Sequence, residues 1–284
     1  MAAAITRKFY PRGTQRILRI LFNPKKLKIR GAVGYDGGLR MNVDTSSFVE
    51  WNIFFSGHYE ENVTDIFKKL IKPGFTAVDA GAYIGTHTLV MAKAAGKAGR
   101  VLAFEPNPEI AAKLEENIKL NNFANVKIFR SALSDKEGKM HLFSYGDQML
   151  DKGTSSLYGL DNLQDKFEVD VMPFDRIARD EKLSRLDFIK IDTRGSDWPI
   201  IRGAAESIKK FNPFVVFEYN TDNWEHSGSK WEEAEDFFRR TGYSLYLIGK
   251  NGLTTIVARP IIKTSHNILA VPGSKKQDLW EKQA

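Results

Sequence analysis

From Phe75 onward, short apolar runs alternate with helical segments, and few folds accept that order. Strands are expected at 76–79, 100–105, 126–130, 186–191 and 214–217. Helices are expected between them at 85–95, 108–121 and 200–210. The second helix opens with Pro108, whose fixed φ suits a first turn. Runs such as Phe214-Val215-Val216-Phe217 are apolar on both faces, which suits strands covered from both sides. Strand–helix alternation of this kind implies right-handed crossovers and a parallel sheet between two helical layers, the α/β class. Residues 138–172 interrupt the alternation with period-two segments and read as an inserted antiparallel excursion. A helix at 231–241, a strand at 243–248 and a last antiparallel strand at 267–271 complete the pattern. Before it, residues 31–45 read as a hairpin or irregular strands turning at Asp36-Gly37-Gly38, and a helix over 60–71 stops at Pro73-Gly74.

Composition narrows the function. With 284 residues and 12% aromatics the chain can bury a substantial core. It has no cysteine, which excludes disulfides, thiolate zinc sites and cysteine nucleophiles. Nothing resembles an apolar run of about 18 residues or a signal peptide, so a cytoplasmic protein without a spanning helix is expected. Residues 1–30 carry nine Lys or Arg and no acid, against 33 basic and 35 acidic residues in the remainder. The basic character thus belongs to an arm, which argues against nucleic acid as the partner. Within that arm Ile17, Leu18, Ile20, Leu21 and Phe22 suit two readings. One is a basic amphipathic helix touching anionic membrane or a partner; the other is a helix packed on the body. The expected division is an arm and hairpin at 1–45 and a main domain at 46–284. Oligomeric state is not readable.

The strongest local signal is Val78-Asp79-Ala80-Gly81-Ala82-Tyr83-Ile84-Gly85-Thr86-His87. A glycine turn between a buried strand and a helix lets backbone approach a ligand at the sheet's carboxyl edge. A dinucleotide fingerprint needs glycines at its first, third and sixth positions, and no frame on Gly81 and Gly85 provides them. Asp79 would repel a phosphate and suits a cationic ligand such as a sulfonium with an ammonium group. Glu105, at the end of the second strand, can accept both hydroxyl protons of a ribose. Ser131-Ala132-Leu133-Ser134-Asp135 follows the third strand with a small apolar lip suited to an adenine edge. Together these mark a nucleoside without phosphates.

At these residues the chain resembles the FkbM-type S-adenosylmethionine-dependent methyltransferases. The matching stretches are Gly57-His58-Tyr59-Glu60, the turn from Val78 to Gly85, Ala103-Phe104-Glu105-Pro106-Asn107, Ala132-Leu133-Ser134-Asp135, Leu186-Asp187-Phe188-Ile189-Lys190-Ile191-Asp192 and Arg202-Gly203-Ala204. A fainter match returns at Asn267-Ile268-Leu269-Ala270-Val271-Pro272. The resemblance implies a class I methyltransferase, Rossmann-like fold. Its sheet is mostly parallel and seven-stranded, with an antiparallel last strand and helices on both faces. The implied cofactor is S-adenosyl-L-methionine, and the implied reaction is usually O-methylation of a sugar, glycan or natural product. By that match Asp79, Gly81 and Gly85 line the methionine part, Glu105 the ribose, and Ala132 and Leu133 the adenine. Glu60, Ala82, Tyr83, Thr86, Pro106, Ser131 and Asp192 complete the expected cofactor set. No metal is expected.

Methyl transfer needs an aligned nucleophile, exclusion of water and removal of a hydroxyl proton. Asp192 after the fourth strand and Glu218 after the fifth are the candidate carboxylates, with His58 and His87 the nearest imidazoles. Each has a bland alternative, as a cap, a backbone anchor or a satisfied polar residue. Ser155 and Ser156 in the insertion, and Asn220 in the hydrogen-bonding run 219–226, are candidate acceptor contacts. The family pattern after the fourth strand reads Asp-any-Glu-Gly, whereas this chain has Asp192-Thr193-Arg194-Gly195. Arginine cannot repeat glutamate's proton chemistry. Arg194 therefore binds an anionic acceptor, faces solvent or marks altered activity. Two alternatives stay open beside O-methylation: transfer to nitrogen or nucleic acid, and a binding protein with weakened catalysis.

Overall fold

The computed structural model describes residues 18, 21–23, 28–144, 155–158, 165–250, 252–256 and 265–279. Most of the basic arm, including Arg7, Lys8, Arg12, Arg16, Arg19, Lys25 and Lys26, lies outside the described residues, as do Gly153 and Thr154. Of the arm's apolar patch, Leu18 and Phe22 pack with Trp51 and Phe55, and the Trp51 indole donates to the Phe22 carbonyl at 2.9 Å.

The strands in chain order are β1 (Arg30–Tyr35), β2 (Leu39–Asp44), β3 (Thr76–Ala80), β4 (Arg100–Phe104), β5 (Val126–Phe129), β6 (Ala132–Leu133), β7 (Gly138–Ser144), β8 (Ser155–Ser156), β9 (Asp165–Met172), β10 (Phe188–Ile191), β11 (Phe214–Tyr219), β12 (Tyr243–Gly249), β13 (Gly252–Thr255) and β14 (His266–Pro272). The main sheet has the order β13-β12-β14-β11-β10-β3-β4-β5. Strands β5, β4, β3, β10 and β11 run parallel, while β14 pairs antiparallel with both β11 and β12. Seven strands thus follow the expected architecture, and β13 adds an eighth as a hairpin on β12.

Alternation along the central strands sends side chains to two cores. Ala77, Val101, Phe188 and Val216 face one, and Val78, Leu102, Ile189 and Val215 face the other. This period of two on fully buried strands is why their sequences are apolar throughout. The β1–β2 hairpin shares the first core through Tyr35, Leu39, Met41 and Val43. Insertion strands β7, β8 and β9 join β6 in a second sheet of order β6-β9-β7-β8.

Several local expectations need correction. The helix after β3 begins at Thr88, not Gly85, because residues 81–87 form an irregular turn. The helix placed over 200–210 is two helices, Asp197–Gly203 and Ala205–Phe211. At the break a Cβ on Gly203 would lie 2.0 Å from the Ser134 carbonyl oxygen. Residues 221–226, within the hydrogen-bonding run read from the sequence, form a short helix capped by the Asn220 side chain, which accepts from the Asn223 N–H at 3.0 Å. The helix Phe48–Ser56, which sequence patterning did not reveal, buries Trp51, Ile53 and Phe55. Among the described residues no helix is long and apolar enough to cross a membrane.

Candidate functional site

Strand order reverses between β3 and β10, since the chain builds outward from β3 to β5 on one side and from β10 to β11 on the other. Such a switch point leaves a crevice at the carboxyl ends of the strands. There a cavity of about 400 Å³ opens, lined by Ala80 and Gly81 at the end of β3, Phe104 and Glu105 at the end of β4, Asp192 and Thr193 after β10, and Glu218 and Asn220 at the end of β11. That volume falls in the range of small-molecule sites.

On the β4 side Glu105, Asn107 and Tyr83 are held by the protein's own bonds. Glu105 is buried, and its carboxylate accepts the Tyr83 N–H at 3.0 Å and the Asn107 N–H at 2.9 Å. Burial pushes its pKa up to about 7, against those two bonds and the Lys190 charge. Asn107 also caps the helix Pro108–Leu120 by accepting from Glu109 and Ile110. Tyr83 sits at φ 51°. Its hydroxyl donates to Glu50 at 3.0 Å and lies 3.1 Å from the Ser47 hydroxyl, so the N-terminal extension fixes the turn. Tyr35 of the hairpin donates to the Thr86 carbonyl at 2.8 Å. Ala132 and Leu133 line the cavity beside Phe104 and Pro106, where the sequence places an adenine edge.

Asp79 departs from expectation. Its carboxylate is fully buried, accepts from Thr88 at 2.6 Å and pairs with Lys190 Nζ at 3.1 Å, so it does not face the cavity. It holds Lys190, which the sequence reading passed over. Burial disfavours that ammonium, but Asp79 and Asp192 outweigh it and raise its pKa. Lys190 also donates to the Gly81 carbonyl at 3.0 Å and lies 3.9 Å from Asp192. A lysine inside an apolar strand, preceded by Asp79 on the neighbouring strand, was the signal for this pair. Gly81 and Gly85 serve the protein's own packing. A Cβ on Gly81 would lie 2.2 Å from the Asp192 carbonyl oxygen, and one on Gly85 2.9 Å from Leu114. Gly81 still lines the cavity, whereas Gly85, Ala82 and Ser131 do not.

Nearer β10, Glu60, His87 and Asp192 each offer a ligand atom, and the three atoms lie within 4.8 Å of one another. Glu60 Oε2 and His87 Nε2 are 3.5 Å apart, and neither has a hydrogen-bond partner. Burial, then the Lys190 charge, keeps the His87 imidazole neutral by holding its pKa well below the usual value. Burial, then Asp192, pushes Glu60 up to about 8. The neutral imidazole and the Glu60 carboxyl, each with an orphaned atom, accommodate a compact cation together with Asp192, and the cation's charge would draw the proton off Glu60. His58 is not brought here: its ring is over a third exposed, 3.8 Å from Glu61. His87 is the histidine that reaches the cavity.

The β11 side gathers Glu218, Asn220, Asn223, Ser265 and Arg194. Burial, then Asp192, raises Glu218 to about 7 while the Ser265 hydroxyl donates to it. Asp197, also missed by sequence reading, accepts the Gly195 N–H at 3.2 Å and the Glu218 N–H at 3.3 Å, tying the two loops together. Ser155 lines the cavity with Leu142 and Leu157. Ser156 stands behind, its hydroxyl donating to the Arg194 carbonyl at 3.0 Å.

A family model described as the methyltransferase FkbM domain matches residues 79–245. A curated relative, methyltransferase sdnD of Sordaria araneosa, is 27% identical over 178 residues, covering 53% of this chain and 67% of that protein. The solved methyltransferase FkbM from Methylobacillus flagellatus KT is 14% identical, with a TM-score of 0.46 over 77% of this chain; the match spans 52% of its length. A SAM-dependent O-methyltransferase from Thermotoga maritima is 13% identical, with a TM-score of 0.41 over 87% of this chain and 94% of its own.

Proposed function

Because the chain belongs to the FkbM methyltransferase family, we propose that it moves a methyl group from S-adenosylmethionine to a hydroxyl of a sugar, glycan or other natural product. The observation that carries this reading is the order of groups along one cavity: Glu105, then the Glu60–His87–Asp192 trio, then Glu218. Bound there, the donor supplies a methyl group on a positively charged sulfur, so the protein has little covalent chemistry to perform.

Glu105 is the ribose ligand. Its two oxygens are fixed by backbone N–H groups and retain lone pairs for hydroxyl donors. Phe104, Ala132 and Leu133 give the adenine an apolar slot. The orphaned Glu60 and His87 atoms, with Asp192, take the donor's ammonium, which offers three protons to three acceptors. Glu218 receives the acceptor's hydroxyl proton, since a base with a pKa near the working pH combines ionised population with driving force. Asp192 orients that hydroxyl, and Leu142 and Leu157 keep water from the reacting side.

Calorimetric titration with S-adenosylhomocysteine in EDTA, paired with an acceptor screen for its release, tests the reading. Binding should be in the low-micromolar range and metal-independent. Binding that vanishes in EDTA would give the trio to a metal ion, and NAD binding without S-adenosylhomocysteine binding would sink the reading.

A further inference from the structure

The segment that links β10 to the helix Asp197–Gly203 is held rigidly yet leaves three polar groups unused. Arg194 has φ 48°, a left-handed conformation that strains a non-glycine residue. Its backbone is pinned from both sides. The Ser156 hydroxyl donates to the Arg194 carbonyl, and the same hydroxyl oxygen accepts from the Tyr158 N–H at 3.1 Å. Gly195 follows at φ 100°, packed so closely that a Cβ there would lie 2.6 Å from the Asn223 carbonyl oxygen. Asp197 holds the Gly195 N–H from beneath.

Against this fixed backbone, Arg194 lines the cavity; its guanidinium has no hydrogen bond or ion pair among the described residues, and its charge reaches only as far as lowering the pKa of Glu218 and Tyr59. The Thr193 and Ser196 hydroxyl oxygens are buried in the same cavity wall, and neither has a hydrogen-bond partner. Ser196 is only 2% exposed. A buried hydroxyl without a partner is costly, and two in the wall that Arg194 also lines point to an acceptor-rich anion.

We propose that Thr193, Arg194 and Ser196 form a subsite for a carboxylate on the methyl acceptor, so that the substrate is a hydroxy acid. The assignment rests on the methyl-transfer reading above. A carboxylate has about four lone-pair sites, which the guanidinium fork and two hydroxyls fill. Its single charge balances Arg194. A phosphate dianion would bring a second negative charge toward Asp192 and Glu218, which line the same cavity. Planar, bidentate recognition also explains an arginine here in preference to a lysine. The acid anchors the acceptor on the β10 side, leaving its hydroxyl free to lie between Asp192 and Glu218.

The test is binding to the S-adenosylhomocysteine-loaded protein. The probes are uronic acids, hydroxybenzoates and short hydroxyalkanoates, each beside its primary amide. The best-bound acids should exceed their amides by about ten- to a hundredfold, the scale of a charge-assisted pair. Arg194→Ala should collapse that ratio toward one, and Arg194→Lys should restore part of it. Replacing both hydroxyls (Thr193→Val with Ser196→Ala) should lower the ratio with Arg194 intact. Acid-blind binding in a donor-loaded protein, or a ratio unmoved by Arg194→Ala, would overturn the subsite alone. Failure of S-adenosylhomocysteine to bind at all would overturn the methyl-transfer reading and this assignment with it.

Discussion

The two halves of the cavity are built on opposite plans. On the β4 side, the polar groups are already paired: Glu105 with two backbone N–H groups, Tyr83 with Glu50 and Ser47, Asn107 with its helix. On the β10–β11 side, Glu60, His87, Thr193 and Ser196 all carry buried atoms without a hydrogen-bond partner, and Arg194 has no ion pair among the described residues. A satisfied network is stiff and keeps one shape. Unpaired groups have strong gains in reserve for whatever meets them, at a cost to the empty protein. The first half suits a ligand that is always the same, the nucleoside. The second suits discrimination, because a site with unpaired polar groups rejects molecules that cannot satisfy them.

The contrast breaks most visibly at Glu218. If the β11 side holds the proton acceptor, Glu218→Gln should slow turnover by about 10²–10⁴-fold. Affinity for S-adenosylhomocysteine should change much less. Because burial and Asp192 raise Glu218 to about 7, the base is protonated below that pH. The wild-type rate should therefore rise with pH through about 7 and level off above it, and the variant should lose that limb. Steady-state rates across pH 5.5–8.5, a window bracketing that value, check both. A variant with unchanged turnover would move the base elsewhere, with Asp192 next.

Gly81 tests whether the halves are mechanically separate. Its would-be Cβ lies 2.2 Å from the Asp192 carbonyl oxygen, and its φ of 77° disfavours any side chain. Gly81→Ala should cost about 2–4 kcal/mol of stability and disturb donor binding and turnover together. Gly228→Ala is the control. Its φ is 69°, in the left-handed turn that closes the helix 221–226, but nothing lies within 4 Å of the added carbon, so only the left-handed backbone penalty of about 1–2 kcal/mol should appear. Urea unfolding of the two variants measures the difference. Equal losses would show that the contact with Asp192 is soft.

The same division decides what the sequence could show. The strand order was readable because strands buried on both faces must be apolar throughout, as in Phe214-Val215-Val216-Phe217. Glu105 and the Ala132-Leu133 lip were readable because their roles depend on positions at strand ends, which chain order preserves. The acceptor side depends on pairings across the fold. Lys190 with Asp79, Asp197 with Gly195 and Glu218, and Ser156 with Arg194 join residues whose spacing carries no periodic signal. The sequence pattern gave Asp79 to the donor because a strand-end acid resembles a ligand; only its partner Lys190 reveals it as internal. It also set His58 beside His87 as an imidazole candidate, and burial separates them: the His87 ring is 2% exposed and the His58 ring 37%. The fragile feature was charge compensation, since an acid and its counter-ion can be more than a hundred residues apart.

Glu105 sharpens the donor side. Its pKa is about 7 in the folded protein against an ordinary 4.5. A carboxyl whose pKa rises on folding favours the folded state when protonated. That contribution is full below about 4.5, is lost as pH rises through 7, and amounts to on the order of 3 kcal/mol. Glu105→Gln should therefore be relatively more stable than wild type at pH 8 than at pH 5. Its affinity for S-adenosylhomocysteine should fall at least tenfold, because the ribose loses a charged acceptor. Unfolding curves at the two pH values and calorimetry provide the readouts. Unchanged affinity in a folded variant would show that the ribose lies elsewhere.

The smallest expected effect is at Ser156, which touches neither ligand. Its hydroxyl holds the Arg194 carbonyl and the Tyr158 N–H, and it is 3% exposed. Ser156→Ala should cost about 1 kcal/mol, the net scale of such bonds, and leave donor affinity unchanged, since its bonds go to Arg194 and Tyr158 and not to Glu105 or the trio. The left-handed backbone at Arg194 would then lose one of its two clamps, and the guanidinium would sample more positions. A hydroxy-acid acceptor should show a KM raised several-fold with kcat little altered, because the loss falls on ground-state and transition-state binding alike. Ser156→Thr, which keeps the hydroxyl, should recover most of the effect. If instead kcat falls and KM holds, then Arg194 is engaged only as the methyl group moves. The positive charge would then belong beside the reacting oxygen and not on a remote carboxylate.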